Sequence, residues 1–143
     1  MHYHISGISL RLRHPDRDVG ALLEQWGFEV GRSWVAGTPR TTPAGTPLGG
    51  IWPESYAYTR LAGEGTTLAH RLRRILKTFE PVAADMAAFV ASGGIAELFV
   101  GWHFERNSGD MLDWELMRGL SDCRLSLSLD IYPDAEPEEH KHA

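Results

Sequence analysis

His103-Phe104-Glu105 sets an imidazole and a carboxylate two residues apart, on one face of any strand that carries them. Such a pair can work as general acid and base. An H-x-E pair also opens the zinc deaminase signature, where zinc activates water and the glutamate shuttles the proton. That signature needs a P-C-x-x-C partner, and the chain has one cysteine, Cys123. The deaminase reading fails, as does any zinc site built on two thiolates of one chain. His70 falls at the border of an apolar helical stripe, where a hydrogen-bonded structural histidine is commoner than a ligand or base. His2 and His4 alternate onto one side of the first strand with no carboxylate at a helpful spacing, and His140 and His142 sit in a polar tail, so no metal is specified. No G-x-S-x-G elbow surrounds a serine, and no phosphate-binding glycine loop follows a strand. The sequence assigns no catalytic residue, no metal ligand and no cofactor.

The aromatic residues are the stronger signal. Five Trp and four Tyr in this chain exceed what burial alone requires, and both types favour surfaces that are later covered. Trp52, Tyr56 and Tyr58 share one side of a strand read over Ile51 to Arg60. Trp34 lies just before the loop 36–50, and Arg40 lies within it. These five, with His103 and Glu105, form the candidate binding set. Filling the core between sheet and helices is the competing use of the rings.

The elements that must position them can be read in order. Ile8, Leu10 and Leu12 alternate with Ser9, Arg11 and Arg13, as on a strand with one dry and one wet face. Asp16 is placed to cap a helix running to Trp26, with Gly27 ending it. A short strand follows over Phe28 to Val35, then the Pro- and Gly-rich loop 36–50 and the strand Ile51 to Arg60. Pro53 cannot donate to a ladder, which makes that strand an edge or a bulged one. Thr66 precedes a helix to Phe79, and Pro81 opens another that ends at Gly93-Gly94. Residues 95–105 alternate as a long strand, Asp110 to Leu120 is a short helix, and Leu125, Leu127, Leu129 and Ile131 mark the last strand. Alternation on three strands predicts a mostly antiparallel sheet of about five strands with helices packed on one face, an α+β two-layer sandwich.

Length and charge set the outer limits. A chain of 143 residues and 15.9 kDa makes one domain, read over 1–133. The net charge is −5, of which −3 falls in 134–143, where Asp134, Glu136, Glu138 and Glu139 stand against Lys141. That acidic tail has no apolar periodicity and is expected to be disordered. The near-neutral body argues against nucleic acid as a partner. No apolar run reaches the ~20 residues that cross a bilayer, and no secretory leader is expected from the first residues. With one free thiol the expected compartment is the cytoplasm.

The ordered features resemble the bacterial family named domain of unknown function 4279. They are Trp26-Gly27-Phe28 after the first helix, Arg32-Ser33-Trp34 with Gly37, Ile51-Trp52, and the closing run Leu127-Ser128-Leu129-Asp130-Ile131-Tyr132. His70 falls in the helix where that family often carries a His-Leu type pair, although Arg71 follows it here. The likeness spans about residues 5–132. It implies an α+β fold and carries over no catalytic residue, since the family has no established activity. The expectation is therefore a non-catalytic protein-binding module with a protein partner, in one form an immunity-type protein that plugs a toxin. The alternative is a small-molecule enzyme using His103 and Glu105, with His70 converging on them in a cleft. An exposed edge at Ile51 to Arg60 permits a homodimer.

Overall fold

The computed structural model describes residues 3–61, 65–104, 106 and 108–133. Strand β1 (Tyr3–His14) is the spine of the molecule. Its alternation separates two faces: Ile8, Leu10 and Leu12 are buried, while Ser9, Arg11 and Arg13 turn the other way. Antiparallel neighbours flank it on both sides, β5 (Ser55–Leu61) and β6 (Ile95–Phe104). With β2 (Ser33–Trp34) and β7 (Leu125–Pro133) outermost, the sheet order is β2-β5-β1-β6-β7. Among the described residues only β6 and β7 run parallel, because helix α4 (Trp114–Asp122) carries the chain back before β7 begins.

Helices α1 (Val19–Gln25), α2 (Leu68–Phe79), α3 (Ala83–Ala91) and α4 lay their apolar stripes on one face of this sheet. Leu22 and Leu23, Leu72 and Ile75, Met86 and Phe89, and Leu116 and Leu120 join Leu10, Leu98 and Val100 in a single core. The architecture is the expected α+β fold. Among the described residues no helix is long and apolar enough to cross a membrane.

Several boundaries differ from the sequence reading. The first helix is capped by Asp18 rather than Asp16, because the buried ring of His14 accepts the Asp16 and Arg17 backbone N–H groups through Nδ1 and holds that stretch in a turn. Asp18 then caps α1 by accepting from the Ala21 N–H at 3.1 Å. The helix read from Asp110 starts at Trp114, capped by Asp113, because the Asp110 carboxylate is taken by the Ala69 N–H of α2 at 2.9 Å. Phe28 to Val35 yields only the two residues of β2. The stretch 36–50 is not simply a loop: β3 (Pro39–Thr41) and β4 (Pro47–Ile51) pair as a small antiparallel hairpin. Ile51 belongs to that hairpin, and the strand read over Ile51 to Arg60 breaks at Pro53-Glu54.

The expected free edge is also relocated. β5 is an inner strand, covered on its outer side by β2 and by the Gly31 N–H and Glu29 carbonyl, which bond to Tyr58 and Thr59. Glu105, His2, residues 62–64 and 107, and the acidic stretch 134–143 lie outside the described residues.

Candidate functional site

No described helix covers the second face of the sheet, and its middle is sunken. Gly7 and Gly101 stand opposite each other across β1 and β6, so neither strand raises a side chain there. Both positions are crowded. A Cβ on Gly7 would lie 2.8 Å from Arg60 Nη2, and one on Gly101 would collide with the hydroxyl of Ser6, which sits in a bulge of β1. The resulting hollow has a volume of about 400 Å3. Its walls are Ser6, Ser9 and Arg11 from β1, Tyr56, Tyr58 and Arg60 from β5, Phe99 from β6 and Tyr132 from β7.

Two guanidinium groups dominate it electrically. Arg11 lies over the Phe99 ring at 3.7 Å, an arrangement that fixes the cation without neutralising it. Among the described residues neither Arg11 nor Arg60 has a carboxylate within 4.0 Å. The neighbouring acids are Glu97, across from Arg11 in register, and Asp130, which accepts a hydrogen bond from the Tyr132 hydroxyl. That bond raises the pKa of Tyr132, since ionising the phenol would forfeit it and set two anions together. Burial raises the pKa of Tyr56, with Arg11 and Arg13 pulling it back. Both phenols therefore serve as neutral hydrogen-bonding rings.

An aromatic stack continues the hollow towards the β3–β4 hairpin. Trp34 stacks on Trp52 at 4.0 Å and on Tyr56 at 4.6 Å, and its Nε1 donates to the Glu54 carbonyl at 3.0 Å. Cations flank the stack: Arg40 lies 5.6 Å from the Trp52 ring, Arg32 lies 5.2 Å from Trp34, and Arg13 lies 5.5 Å from Tyr56. Arg32 is pinned by donating to the Thr41 carbonyl at 2.7 Å, and Arg13 pairs with Glu54 at 3.5 Å. A shallow depression of about 490 Å3 opens beside Trp52, lined also by Ile51 and Pro53. On the opposite side, Tyr58 and Arg60 border a third recess with Glu29, Val30 and Gly31. Together these make a trough along β5.

The candidate binding residues are thus distributed as follows. Trp34, Arg40, Trp52 and Tyr56 meet in the stack, and Tyr58 adjoins it at 6.4 Å from Tyr56. His103 is on the same face but beyond β1, stacked between His4 and Tyr132 at 4.7 Å from each. Glu105 lies outside the described residues. His70 is exposed on α2, in the helical layer, so His70 and His103 are on opposite sides of the sheet. Cys123 is buried between α4 and β7, and burial raises its thiol pKa, the reverse of what a nucleophile needs. Among the described residues no group of three His, Cys, Asp or Glu side chains could hold a metal ion. On α2, Arg73 pairs with Asp113 at 2.8 Å, and Arg71 is half-buried and donates to the Ile5 carbonyl at 3.3 Å.

Sequence reasoning missed Arg11, Arg60, Phe99 and the glycine pair. The wet alternation of β1 marked Arg11 as outward-facing, but only the register of three strands sets it beside Phe99 and Tyr58. Comparison of the chain with protein-family models, with curated proteins and with solved structures finds no match.

Proposed function

We propose that the chain is a non-catalytic protein-binding module whose open sheet face receives an extended segment of a partner protein. The observation that carries this reading is the trough itself: two arginines without a close carboxylate, set among Tyr56, Tyr58, Phe99 and Tyr132. Guanidinium groups next to aromatic walls, that of Arg11 held over Phe99, suit a segment that offers an acidic side chain beside an apolar or aromatic one. A cytoplasmic, immunity-type role, in which the trough grips a toxin, is one form of this proposal. Membership of the domain of unknown function 4279 family is proposed on the residues quoted for it and adds no activity. The enzymatic alternative has less to rest on, because the layer of β-strands stands between His70 and His103.

An array of short peptides varying in Asp, Glu and aromatic content tests it directly. Peptides combining both should bind, with affinity falling as salt rises. Arg60→Ala or Arg11→Ala should weaken that binding about tenfold, the loss of one charge-assisted hydrogen bond. Absence of binding, or binding indifferent to both substitutions, would overturn the reading.

A further inference from the structure

Of the two outer strands, β2 has only two residues, and β7 is the long open edge of the sheet. Leu125–Pro133 pairs in register with β6 over nine residues and, among the described residues, with no strand on its other side. Edge strands are ordinarily blunted by bulges, prolines or inward charges. β7 has an unbroken register, a proline only at its last position, and Asp130 as its single charge.

The surface beside this edge is apolar. Leu129, Ile131 and Tyr132 of β7, Trp114 and Met117 of α4, and Met111 before it are each between 39% and 75% exposed. Only Cys123 and Arg124 separate α4 from β7. The helix therefore runs back along the strand, and its rise of ~1.5 Å per residue against ~3.3 Å sets Trp114 about level with Leu129 and Ile131. Ile131 further shares an apolar recess of about 230 Å3 with Trp102, Phe104 and Ser108. On the helical side of the edge, Leu129, Ile131, Trp114, Met117 and Met111 together expose roughly 570 Å2, at the upper end of what a monomer usually leaves bare in one patch. With the backbone edge added it approaches the ~800 Å2 per partner of a specific interface.

We infer that a second copy of this chain occupies this edge, the two β7 strands pairing antiparallel about a two-fold axis at Leu129. The sequence of β7 is compatible with itself in that register. Leu127 faces Ile131 on the helical side; Ser126 faces Tyr132 and Ser128 faces Asp130 on the open side. No like charges are opposed. Moving the axis one residue to Asp130 sets that carboxylate against its own copy, which a sheet pair disfavours. The result is a continuous ten-stranded sheet with an isologous interface. It rests on other residues than the trough, apart from Tyr132, and stands or falls separately.

Sedimentation equilibrium of the full chain over about two decades of concentration tests it. The expected mass is twice 15.9 kDa. Leu129→Lys with Ile131→Lys, both at exposed positions, should raise the dissociation constant well beyond tenfold while circular dichroism stays native. If that variant fails to fold, Leu129→Ser with Ile131→Thr takes its place. The register has its own test: Ser128→Asp, facing Asp130 of the second copy, should weaken the dimer several-fold, and Ser128→Lys should not. A chain cut after Pro133 should dimerise as the full chain does, and Arg60→Ala should leave the mass unchanged. A single-chain mass throughout, a dimer that survives the double substitution, or a dimer formed only by the cut chain would each overturn the inference.

Discussion

At the scale of single residues, the open face is shaped as much by what is missing as by what is present. Gly101 is buried, and the atom that a Cβ there would meet first among the described residues is the Ser6 hydroxyl. Gly101→Ala should therefore destabilise the fold by about 1–3 kcal/mol through overpacking. Because the obstacle is one hydroxyl and not backbone, adding Ser6→Gly should return most of that loss. Urea denaturation of the two single variants and the double variant measures the coupling, and simple additivity would show that the clash is not the cause. This pair also shows where sequence reasoning about the site stops. Trp34, Trp52, Tyr56 and Tyr58 could be singled out because ring-bearing residues are informative by type, and the structure brings the first three into one stack. Gly7, Gly101, Arg11 and Arg60 are ordinary residues whose meaning comes from cross-strand register. Register depends on a bulge at Ser6 that no local pattern announces.

At the scale of elements, alternation carried most of the fold. β1 and β6 write their buried face in period two, and α2 writes its stripe through Leu68, Leu72, Ile75 and Phe79; β7 alternates as well, but its Leu129 and Ile131 are exposed at the sheet edge. Boundaries were less legible, because several acids compete for each helix start and tertiary partners decide among them. Asp110 and Asp113 are the clear case: the first is drawn to Ala69 of α2 and the second is left to cap α4. Asp113 also binds Arg73, so it fastens α4 to α2. The Leu116 N–H, and next the Arg73 guanidinium, hold its carboxyl below the ordinary value of 3.8. A group with a depressed folded pKa stabilises the fold above its unfolded pKa and loses that contribution as pH falls through the folded one. Asp113→Asn keeps a capping oxygen but cannot ionise. Its melting temperature should lie below the wild-type value at pH 7, and the difference should vanish in acid below the carboxylate range. A gap that persists unchanged into acid would mean that the charge is not what fastens the two helices.

At the scale of the whole molecule, the sheet divides labour between its faces, and that division can be measured. The helical face holds the core: Leu98 is fully buried between β1, β7 and the helices, so Leu98→Ala should cost about 2–5 kcal/mol by leaving a cavity. The opposite face carries charge and rings at the surface of the same strands. Arg60 is exposed, and its replacement should change stability by no more than ~0.5 kcal/mol, as is usual away from packed sites. Yet Arg60→Ala is the substitution expected to impair acidic-peptide binding, and Leu98→Ala should leave that affinity intact wherever the protein is still folded. The two residues lie on β5 and β6, the strands on either side of β1 in the same sheet, so proximity alone would predict a shared effect. Opposite outcomes for stability and binding would follow only if the two faces act independently. Equal losses of stability, or an affinity that tracks the core substitution, would mean that the open face is part of the scaffold and not a surface kept free for a partner.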